Sequence, residues 1–480
     1  MIQIKILKEI FGKVLVYSYQ NMKIILTITI LLTCFYSIAQ NKIIAKSETV
    51  NYTLAQAEIK IGFDISSEFE GKKIVVKNIT DNEELTSGLV KRGRFFLNGK
   101  ITFPEKWQPY NWDKTQKTYE LLVEIKQGGK LLESYKFVHG FIDKELVEEI
   151  DALGVAYYFK INGRKCFVKG IDLRSIESIS VKDFENETIK QVKQMGFNLI
   201  RMPKLSLEKL DSMYTICDKN GIMVWQDLTE NYFEISDFSS IGKETKRYLD
   251  VLAQHPCMIA LCGYKKGYFE TLLAKNPQES NTVKKVKKSV FETLGADFYV
   301  FEVYYKIPYI LQDIEEITFD TKGRKELKSI REPSGRFNFI REGNHNSLKF
   351  IEYSRKSKPK TFGYIIEFID VYSNFEDYTK ANQNYLIIPE VHENDIVFFV
   401  VNDSLKSLNA QIRVEAFTTK GEKINQKDAP VKLSNQLCNF GADIKKDFLK
   451  EKTKEDSYLV VSILDKGKVL STRKVYWKNE

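Results

Sequence analysis

Three titratable residues follow short apolar runs, where a side chain at the end of a strand could do chemistry. Lys265 and Lys266 come shortly after the apolar run Met258 to Cys262. Glu302 comes directly after the apolar run Tyr299 to Phe301. A carboxylate such as Glu302 can act as a nucleophile or as a general acid and base. A lysine with an ordinary pKa of about 10.4 stays protonated at neutral pH, so neither lysine would supply a free base.

Three strand–helix units come before these residues and must position them. Residues 156–172, AYYFKINGRKCFVKGID, predict two strands joined by an Asn-Gly turn. The helical pattern ENETIKQVKQMG leads to an apolar strand at 197–202, and LEKLDSMYTICDKNG leads to another at 222–225. A third helix, TKRYLDVLAQ, leads to the strand at 258–262. Strands that alternate with helices through short loops predict a parallel sheet with crossover helices.

These segments resemble, in the same order, the barrel of the β-mannosidase branch of glycoside hydrolase family 2. FKINGRKCFVKGID resembles the first barrel strand, and ETIKQVKQMGFNLIR, MYTICDKNGIMVWQD and HPCMIALCG resemble the elements that follow it. KTFGYIIEFIDVYSNFEDY resembles the last barrel strand. The resemblance therefore implies a (β/α)8-type TIM barrel, shortened or degenerate, over residues 149–378.

Two all-β segments flank the predicted barrel. Residues 41–148 contain short alternating strands, which predict a β-sandwich, and the segment ITFPEKWQPYNWDKTQKTYELL resembles the immunoglobulin-like domain that precedes the barrel in the family. Trp107, Trp112 and Tyr119 are expected to pack in the core or between domains, with sugar stacking as the alternative. Residues 380–480 resemble the family's C-terminal immunoglobulin-like domain. The N-terminal jelly-roll usual in the family has no counterpart in the sequence, which argues against ordinary exo-glycosidase activity.

The resemblance assigns the family's catalytic places to the residues introduced first. In the family the strand matched by 258–262 ends in Gly-Asn-Asn-Glu, where the second Asn holds the sugar 2-hydroxyl and the Glu is the acid/base. Lys265 and Lys266 take those two places here. Glu302 is the candidate remnant of the nucleophile, although the family puts two further strand–helix units between its carboxylates. Either the barrel is shortened or Glu302 is not the equivalent residue. The alternative for Glu302 is an outward-facing position on a strand.

Other matched positions are candidates for substrate binding. Arg201, at the end of the Asn-Leu-Ile strand, matches a family arginine that braces the site. Asp227 matches a residue near the pocket, with a structural hydrogen-bonding role as the alternative, and Asp172 stands where the family has an Asn. Ile366-Glu367 replaces part of a Trp-Gln-Leu-Asn segment that contacts sugar in the family. Several site positions thus differ while the framework positions are kept, a pattern that favours lost activity.

Composition and targeting narrow the class of protein. Met22 to Gln40 predicts a signal peptide that ends after Ala39, so residues 1–39 are expected to be a leader and the protein to be exported without stable membrane insertion. The net charge of +9 is spread along the chain, and the KKVKK run at 284–288 predicts a solvated helix face, not nucleic-acid binding. The four histidines lie far apart, so no metal site and no cofactor are expected. The cysteines predict no disulfide framework.

The sequence thus predicts an exported protein of the glycoside hydrolase family 2 type that has lost catalysis and binds glycans or acts as an accessory. The lysine pair predicts an anionic glycan such as a uronate as the ligand, whereas two lysines merely exposed to solvent are the alternative reading. Two other functions stay open. One is an active retaining β-glycosidase that uses Glu302 with a relocated acid/base, and the other is a structural or partner-binding scaffold.

Overall fold

The fold of the 480-residue chain is known from a computed structural model. The structure describes residues 42–112, 116–151, 154–176, 178–203, 205–227, 251–252, 254–262, 300–301, 338–340, 351, 355–356, 363–367, 375–435, 437–449 and 457–477. Within these ranges no helix is long and apolar enough to cross a membrane. The predicted leader, residues 1–39, lies outside them.

Two antiparallel sheets form the first part of the described chain. Their strand orders are β1-β2-β5 and β4-β3-β6-β7. The strands are β1 (Ile43–Tyr52), β2 (Gln56–Ile65), β3 (Lys73–Asn78), β4 (Glu83–Leu89), β5 (Phe95–Thr102), β6 (Tyr119–Gln127) and β7 (Lys130–His139). Alternate residues of β2 and β6 face a common core, as the alternating apolar pattern predicts. A 3-10 turn, Ser67–Phe69, lies between β2 and β3.

A three-stranded antiparallel sheet leads into the next part of the chain. It consists of β8 (Lys144–Asp151), β9 (Gly154–Ile161) and β10 (Arg164–Cys166), in the order β10-β9-β8. The Asn162-Gly163 turn between β9 and β10 has positive φ at both residues, 51° and 76°. Asn and Gly tolerate this conformation best, so the predicted hairpin is confirmed.

Seven parallel strands form the central sheet, in the order β15-β14-β13-β12-β11-β17-β16. The strands are β11 (Val168–Asp172), β12 (Leu199–Arg201), β13 (Met223–Asp227), β14 (Met258–Cys262), β15 (Val300–Phe301), β16 (Asn338–Ile340) and β17 (Gly363–Glu367). The predicted parallel sheet is therefore confirmed, and β14 has the predicted bounds. A closed eight-stranded barrel is not confirmed by these strands.

Helices lie between strands of the central sheet and after its last strand in sequence. They are α1 (Val181–Asp183), a π-helical turn (Phe184–Thr188), α2 (Ile189–Gln194), α3 (Leu207–Asn220) and α4 (Phe375–Ala381). Ser180 caps α1, since its Oγ accepts a 3.0 Å hydrogen bond from the Asp183 amide. Gly221 ends α3 in the left-handed conformation with φ of 68°.

Two further antiparallel sheets form the C-terminal part, in the orders β18-β19-β22 and β21-β20-β23-β24. The strands are β18 (Tyr385–Val391), β19 (Asp395–Asn402), β20 (Leu408–Thr418), β21 (Lys423–Leu433), β22 (Leu437–Lys445), β23 (Ser457–Asp465) and β24 (Lys468–Tyr476), with a 3-10 turn at Lys446–Leu449. Buried residues of both sheets share one apolar core. This arrangement agrees with the predicted C-terminal β-sandwich.

Three aromatic residues suggested for packing are buried. Trp107, Trp112 and Tyr119 have exposed fractions of 0%, 5% and 1%. The Trp107 indole donates a 2.8 Å hydrogen bond to the Asp218 carbonyl, and the Tyr119 hydroxyl accepts a 2.8 Å bond from the Glu105 amide. The packing role is confirmed, and none of the three rings offers a face for a sugar.

Candidate active site

The carboxyl ends of the seven parallel strands meet at one edge of the central sheet, and this edge is the candidate site. Strand pairing sets Asp172 of β11 beside Arg201 of β12 on one side and Glu367 of β17 on the other. Arg201 is in turn beside Trp225 of β13. The structure therefore brings together two of the residues predicted for substrate binding, Asp172 and Arg201.

The Asp172 carboxylate is held by two arginines. Its Oδ2 lies 3.7 Å from a terminal nitrogen of Arg201 and 2.8 Å from one of Arg174. Arg174 also donates from its Nε to both carboxylate oxygens, and its amide donates to Oδ1 at 2.9 Å. A carboxylate with this many donors is an acceptor whose orientation is fixed. Asp172 thus serves chemically as an anchor for the two guanidinium groups and not as a free base.

Arg201 is buried and packs against an aromatic ring. Its guanidinium carbon lies 5.4 Å from the ring centroid of Trp225, within range of a cation–π interaction. The Trp225 ring is also buried. Between this ring and Asp172, the guanidinium has its position fixed from two sides. It supplies a preorganised positive charge at the carboxyl edge of the sheet.

Asp227 is the last residue of β13 and is brought to the same edge by its backbone. It pairs with Cys262, the last residue of β14. Cys262 in turn pairs with Phe301, the last residue of β15. The three strands therefore end in register at this edge.

The catalytic candidates themselves, Lys265, Lys266 and Glu302, lie outside the described residues. The structure does describe the strands that precede these residues in sequence, and it shows that those strands are neighbours. Cys262 ends the strand before the two lysines, and Phe301 ends the neighbouring strand, directly before Glu302 in sequence. Their assigned roles stay predictions.

One further candidate, Glu342, was not identified from the sequence and follows from the strand order. β16 pairs with β17, which pairs with β11, so β16 is the strand next to the last one. The sequence after β16 is Arg341-Glu342-Gly343, which lies outside the described residues. Its Glu-after-strand pattern was available in the sequence, but the polar Asn338 and the brevity of the apolar run hid the strand.

A buried charge cluster lies elsewhere on the same sheet. Lys169 of β11 donates to the Asn382 carbonyl at 2.8 Å and lies 2.6 Å from the Asp403 carboxylate. Arg355 lies 2.7 Å from the same carboxylate. Because Asp403 follows β19 of the C-terminal sheets, this cluster joins the two parts of the chain. Its groups are paired to each other, so it is a structural cluster and not a reaction centre.

Comparison with known proteins agrees with this architecture. Residues 394–479 match the family model of the mannosidase Ig/CBM-like domain. The β-mannosidase of Capra hircus is 30% identical over 193 residues, which cover 38% of this chain and 22% of that protein. The β-mannosidase of Bos taurus is 29% identical over 223 residues, which cover 43% of this chain and 25% of that protein. The matches thus span about a quarter of the length of these relatives.

Solved structures extend the similarity to most of the chain. The β-D-mannosidase from Dictyoglomus thermophilum superposes with a TM-score of 0.64 at 17% identity and covers 91% of this chain and 66% of its own. An exo-chitosanase of Amycolatopsis orientalis superposes with a TM-score of 0.58 at 11% identity and covers 91% of this chain. The fold is that of glycoside hydrolase family 2. Over the matched residues the chain is similar to β-mannosidases, which confirms the resemblance found in the sequence.

Proposed function

We propose that this protein is a non-catalytic relative of family 2 glycosidases that binds glycans or acts as an accessory in carbohydrate processing. The single observation that carries the proposal is the fit of β14 to its predicted bounds, Met258–Cys262. With the strand ending there, the match to Gly-Asn-Asn-Glu gives Lys265 and Lys266 the places of the 2-hydroxyl ligand and the acid/base. The relatives' names, β-mannosidase in each case, point to carbohydrate as the ligand class.

The strand order supports a closed, degenerate (β/α)8-type barrel. β11, the strand predicted to be first, lies between β12 and β17, the strand predicted to be last. A parallel sheet that closes on itself makes its first and last strands neighbours, as they are here. The stretch 302–337 is long enough to supply the one strand–helix unit that the family has between the strands matched by β15 and β16.

Loss of catalysis follows from the chemistry of the lysine places. A retaining glycosidase needs two carboxyl groups about 5–5.5 Å apart, one as nucleophile and one as acid and then base. A protonated lysine could donate a proton in the first step but holds no base to activate water in the second. Its positive charge would also repel the oxocarbenium-like transition state. Replacing the acid/base by lysine therefore works against both half-reactions.

An active retaining β-glycosidase is the second candidate function. In this alternative Glu302 is the nucleophile and another group acts as acid/base. The strand order instead favours Glu342 over Glu302 as the nucleophile. β16, which precedes Glu342, is the strand next to last, and the family puts two strand–helix units between its carboxylates. A purely structural or partner-binding scaffold is the third candidate, and it would keep the fold without a ligand.

The activity test uses aryl β-mannosides, β-galactosides and β-glucosides with the purified protein. We expect no hydrolysis above the rate of a buffer control. Glu302→Gln and Glu342→Gln variants, purified in parallel, identify the source of any turnover. Turnover that persists through purification and is abolished by either substitution would establish the active glycosidase instead.

The ligand at this site is proposed to be an anionic glycan such as a uronate. Two lysines at the places of the acid/base and its neighbour would attract a carboxylate, and a pocket of reduced dielectric would strengthen that attraction. Calorimetry should show acidic oligosaccharides binding more tightly than neutral ones, with affinity falling as salt is added. The Lys265→Ala, Lys266→Ala double variant should lose this preference. The control Lys91→Ala, Arg92→Ala, which removes two charges from an exposed loop, should keep it; equal loss in both would refute the assignment.

Export is proposed on the pattern of residues 22–40. A lysine, an apolar stretch and the small residues Ser37 and Ala39 form the three regions of a signal peptide. Expression of the full chain in a secreting host should yield a mature protein that begins at Gln40. N-terminal sequencing of the cell-associated and exported fractions tests this, and an uncleaved protein retained in the cytoplasm would refute it.

A further inference from the structure

We propose that the C-terminal sheets carry an oligosaccharide-binding groove of their own, between β21 and β22. β21 is the edge strand of one sheet and β22 is the edge strand of the other. An open groove of about 1130 Å³ lies between the two edges. This is slightly more than the roughly 300–1,000 Å³ typical of ligand clefts in proteins. The aromatic, polar and charged lining of the groove favours a neutral oligosaccharide as the occupant.

Phe440 gives the groove an aromatic wall. It lines the groove and its side chain is 60% exposed. The next residue, Gly441, faces the other way, since a Cβ there would meet Ile412 and Val400 in the sandwich core at 3.0 Å. Phe399 meets Phe440 edge-on with ring centroids 6.5 Å apart. The ring is thus held from one side and open to a ligand on the other.

An exposed aromatic face of this kind suits the apolar face of a pyranose. Axial C–H groups of a sugar carry a partial positive charge, and the face of an aromatic ring is the negative part of its quadrupole. Stacking on Phe440 would remove apolar surface from water while the equatorial hydroxyls point to the sides. Those hydroxyls need hydrogen-bonding partners along the groove.

Asp443 offers an acceptor with no partner. Among the described residues, its Oδ1 is buried and makes no hydrogen bond, although the carboxyl group lines the groove. A buried polar atom without a partner calls for an explanation, and one explanation is a ligand that supplies the donor. A sugar hydroxyl has the donor that this oxygen lacks.

Donors stand on the opposite wall. Lys427 lines the groove from β21 and donates to the Asp443 carbonyl at 3.3 Å, which leaves the other N–H bonds of its ammonium available. Lys432 also lines the groove from β21. On the β22 wall, the Asn439 side chain lines the groove and donates to the Leu437 carbonyl at 3.4 Å. Donors and acceptors therefore alternate across the groove. A polyhydroxylated ligand, in which each hydroxyl both donates and accepts, matches such a lining.

The edge strands are protected against the competing occupant, an extended peptide. Pro430 removes a backbone N–H from β21 where an added strand would need a donor. Lysines on both edges and the register shift between Phe398 and Phe399, opposite β22, disfavour strand addition in the same way. A sugar makes no use of backbone pairing and is unaffected by these features.

The test is a glycan array of neutral oligosaccharides probed with the whole chain, followed by calorimetry with cellohexaose, mannohexaose and xylohexaose. We expect retention of at least one neutral oligosaccharide, a loss of affinity of tenfold or more in Phe440→Ala, and a several-fold loss in Asp443→Asn. Phe96→Ala is the matched control, since Phe96 is a strand residue of β5 with 52% exposure. Its affinity should equal that of the wild type.

The groove is separate from the carboxyl edge of the central sheet. An experiment can therefore refute the groove without refuting the proposed function, and the reverse. The Lys265→Ala, Lys266→Ala variant should bind neutral oligosaccharides as the wild type does. Binding that is lost in this double variant and kept in Phe440→Ala would overturn the groove and leave the proposed function standing. No retention of any neutral oligosaccharide, or displacement of the sugar by an unrelated β-strand peptide, would also overturn the groove.

Discussion

Asp403 shows how a single carboxylate fixes two parts of the chain. It neutralises Lys169 of the central sheet and Arg355, and all three side chains have exposed fractions of 4% or less. Because both cations are removed from water, losing this counter-charge is costly for each of them. Sequence reasoning could not find the cluster, since its members are spread from residue 169 to residue 403 and Lys169 reads as an ordinary strand lysine.

Replacing Asp403 by Asn should therefore be costly. The amide keeps the shape but removes the negative charge that both buried cations contact, and we expect a loss of about 3–5 kcal/mol in the free energy of unfolding. Chemical denaturation measures it. The matched control is Asp428→Asn, which removes the partner of the exposed Arg413 and should change stability little. Equal effects of the two substitutions would show that the Asp403 cluster does not hold the fold.

The pKa values of two buried histidines predict that the free energy of unfolding is largest near neutral pH. Burial would lower the pKa of His255, but the charges and hydrogen bonds of Asp218 and Asp211, at 2.6 and 3.1 Å, raise it to about 9. Burial lowers the pKa of His139 to about 4. In the unfolded chain both pKa values are about 6.5. The contribution of His255 is thus full below pH 6.5 and lost as pH rises through about 9.

His139 acts in the opposite direction. Its contribution is full above pH 6.5 and lost as pH falls through about 4. Denaturation between pH 4 and pH 10 should therefore show decreasing stability on both sides. His255→Gln should flatten the alkaline limb and His139→Gln the acidic limb. Proton NMR titration of the two imidazoles checks the assignment directly, and two ordinary pKa values would contradict it.

At the scale of elements, sequence periodicity and turn residues predicted most of the central sheet. The Asn-Gly turn, the glycine that ends α3 and the bounds of β14 all follow from local patterns. The π-helical turn at Phe184–Thr188 did not, because a single wide turn leaves the apolar spacing of an amphipathic helix nearly unchanged. β16 was missed for another reason. Its strand character depends on pairing with β17, which lies more than twenty residues later.

Gly170 is the element-scale feature on which the central sheet depends. It lies in β11, between β12 and β17, and a Cβ there would meet the Ile365 side chain at 2.7 Å and the Tyr364 carbonyl at 3.2 Å. Gly170→Ala should therefore force the strands apart and cost about 1–3 kcal/mol, as overpacking does. The control is Gly88→Ala, where the nearest atom is the end of the Leu97 side chain at 3.1 Å. Thermal denaturation of the two variants should separate them, and equal melting temperatures would contradict the close approach.

At the scale of the whole molecule, the segment from Trp107 to Trp112 joins the first sheets to the central one. Trp107 and Trp112 belong to the apolar core of the central sheet although they come from the preceding part of the chain. The Tyr110 amide donates to the Gly221 carbonyl at 2.9 Å, and a Cβ on Gly221 would meet that amide at 2.6 Å. The glycine that ends α3 thus also makes room for this segment. Such coupling between distant segments has no local pattern in the sequence.

The coupling predicts that the described parts unfold together and that Trp107 links them. In the wild type, differential scanning calorimetry should give one transition. Trp107→Ala removes a fully buried indole and its bond to the Asp218 carbonyl, which should cost about 3–5 kcal/mol and split the transition in two. Trp107→Phe keeps most of the ring and loses the N–H donor, so its cost should be smaller and the single transition should persist. Two transitions in the wild type would show that the first sheets and the central sheet are independent, and that the buried tryptophan fills a core without coupling them.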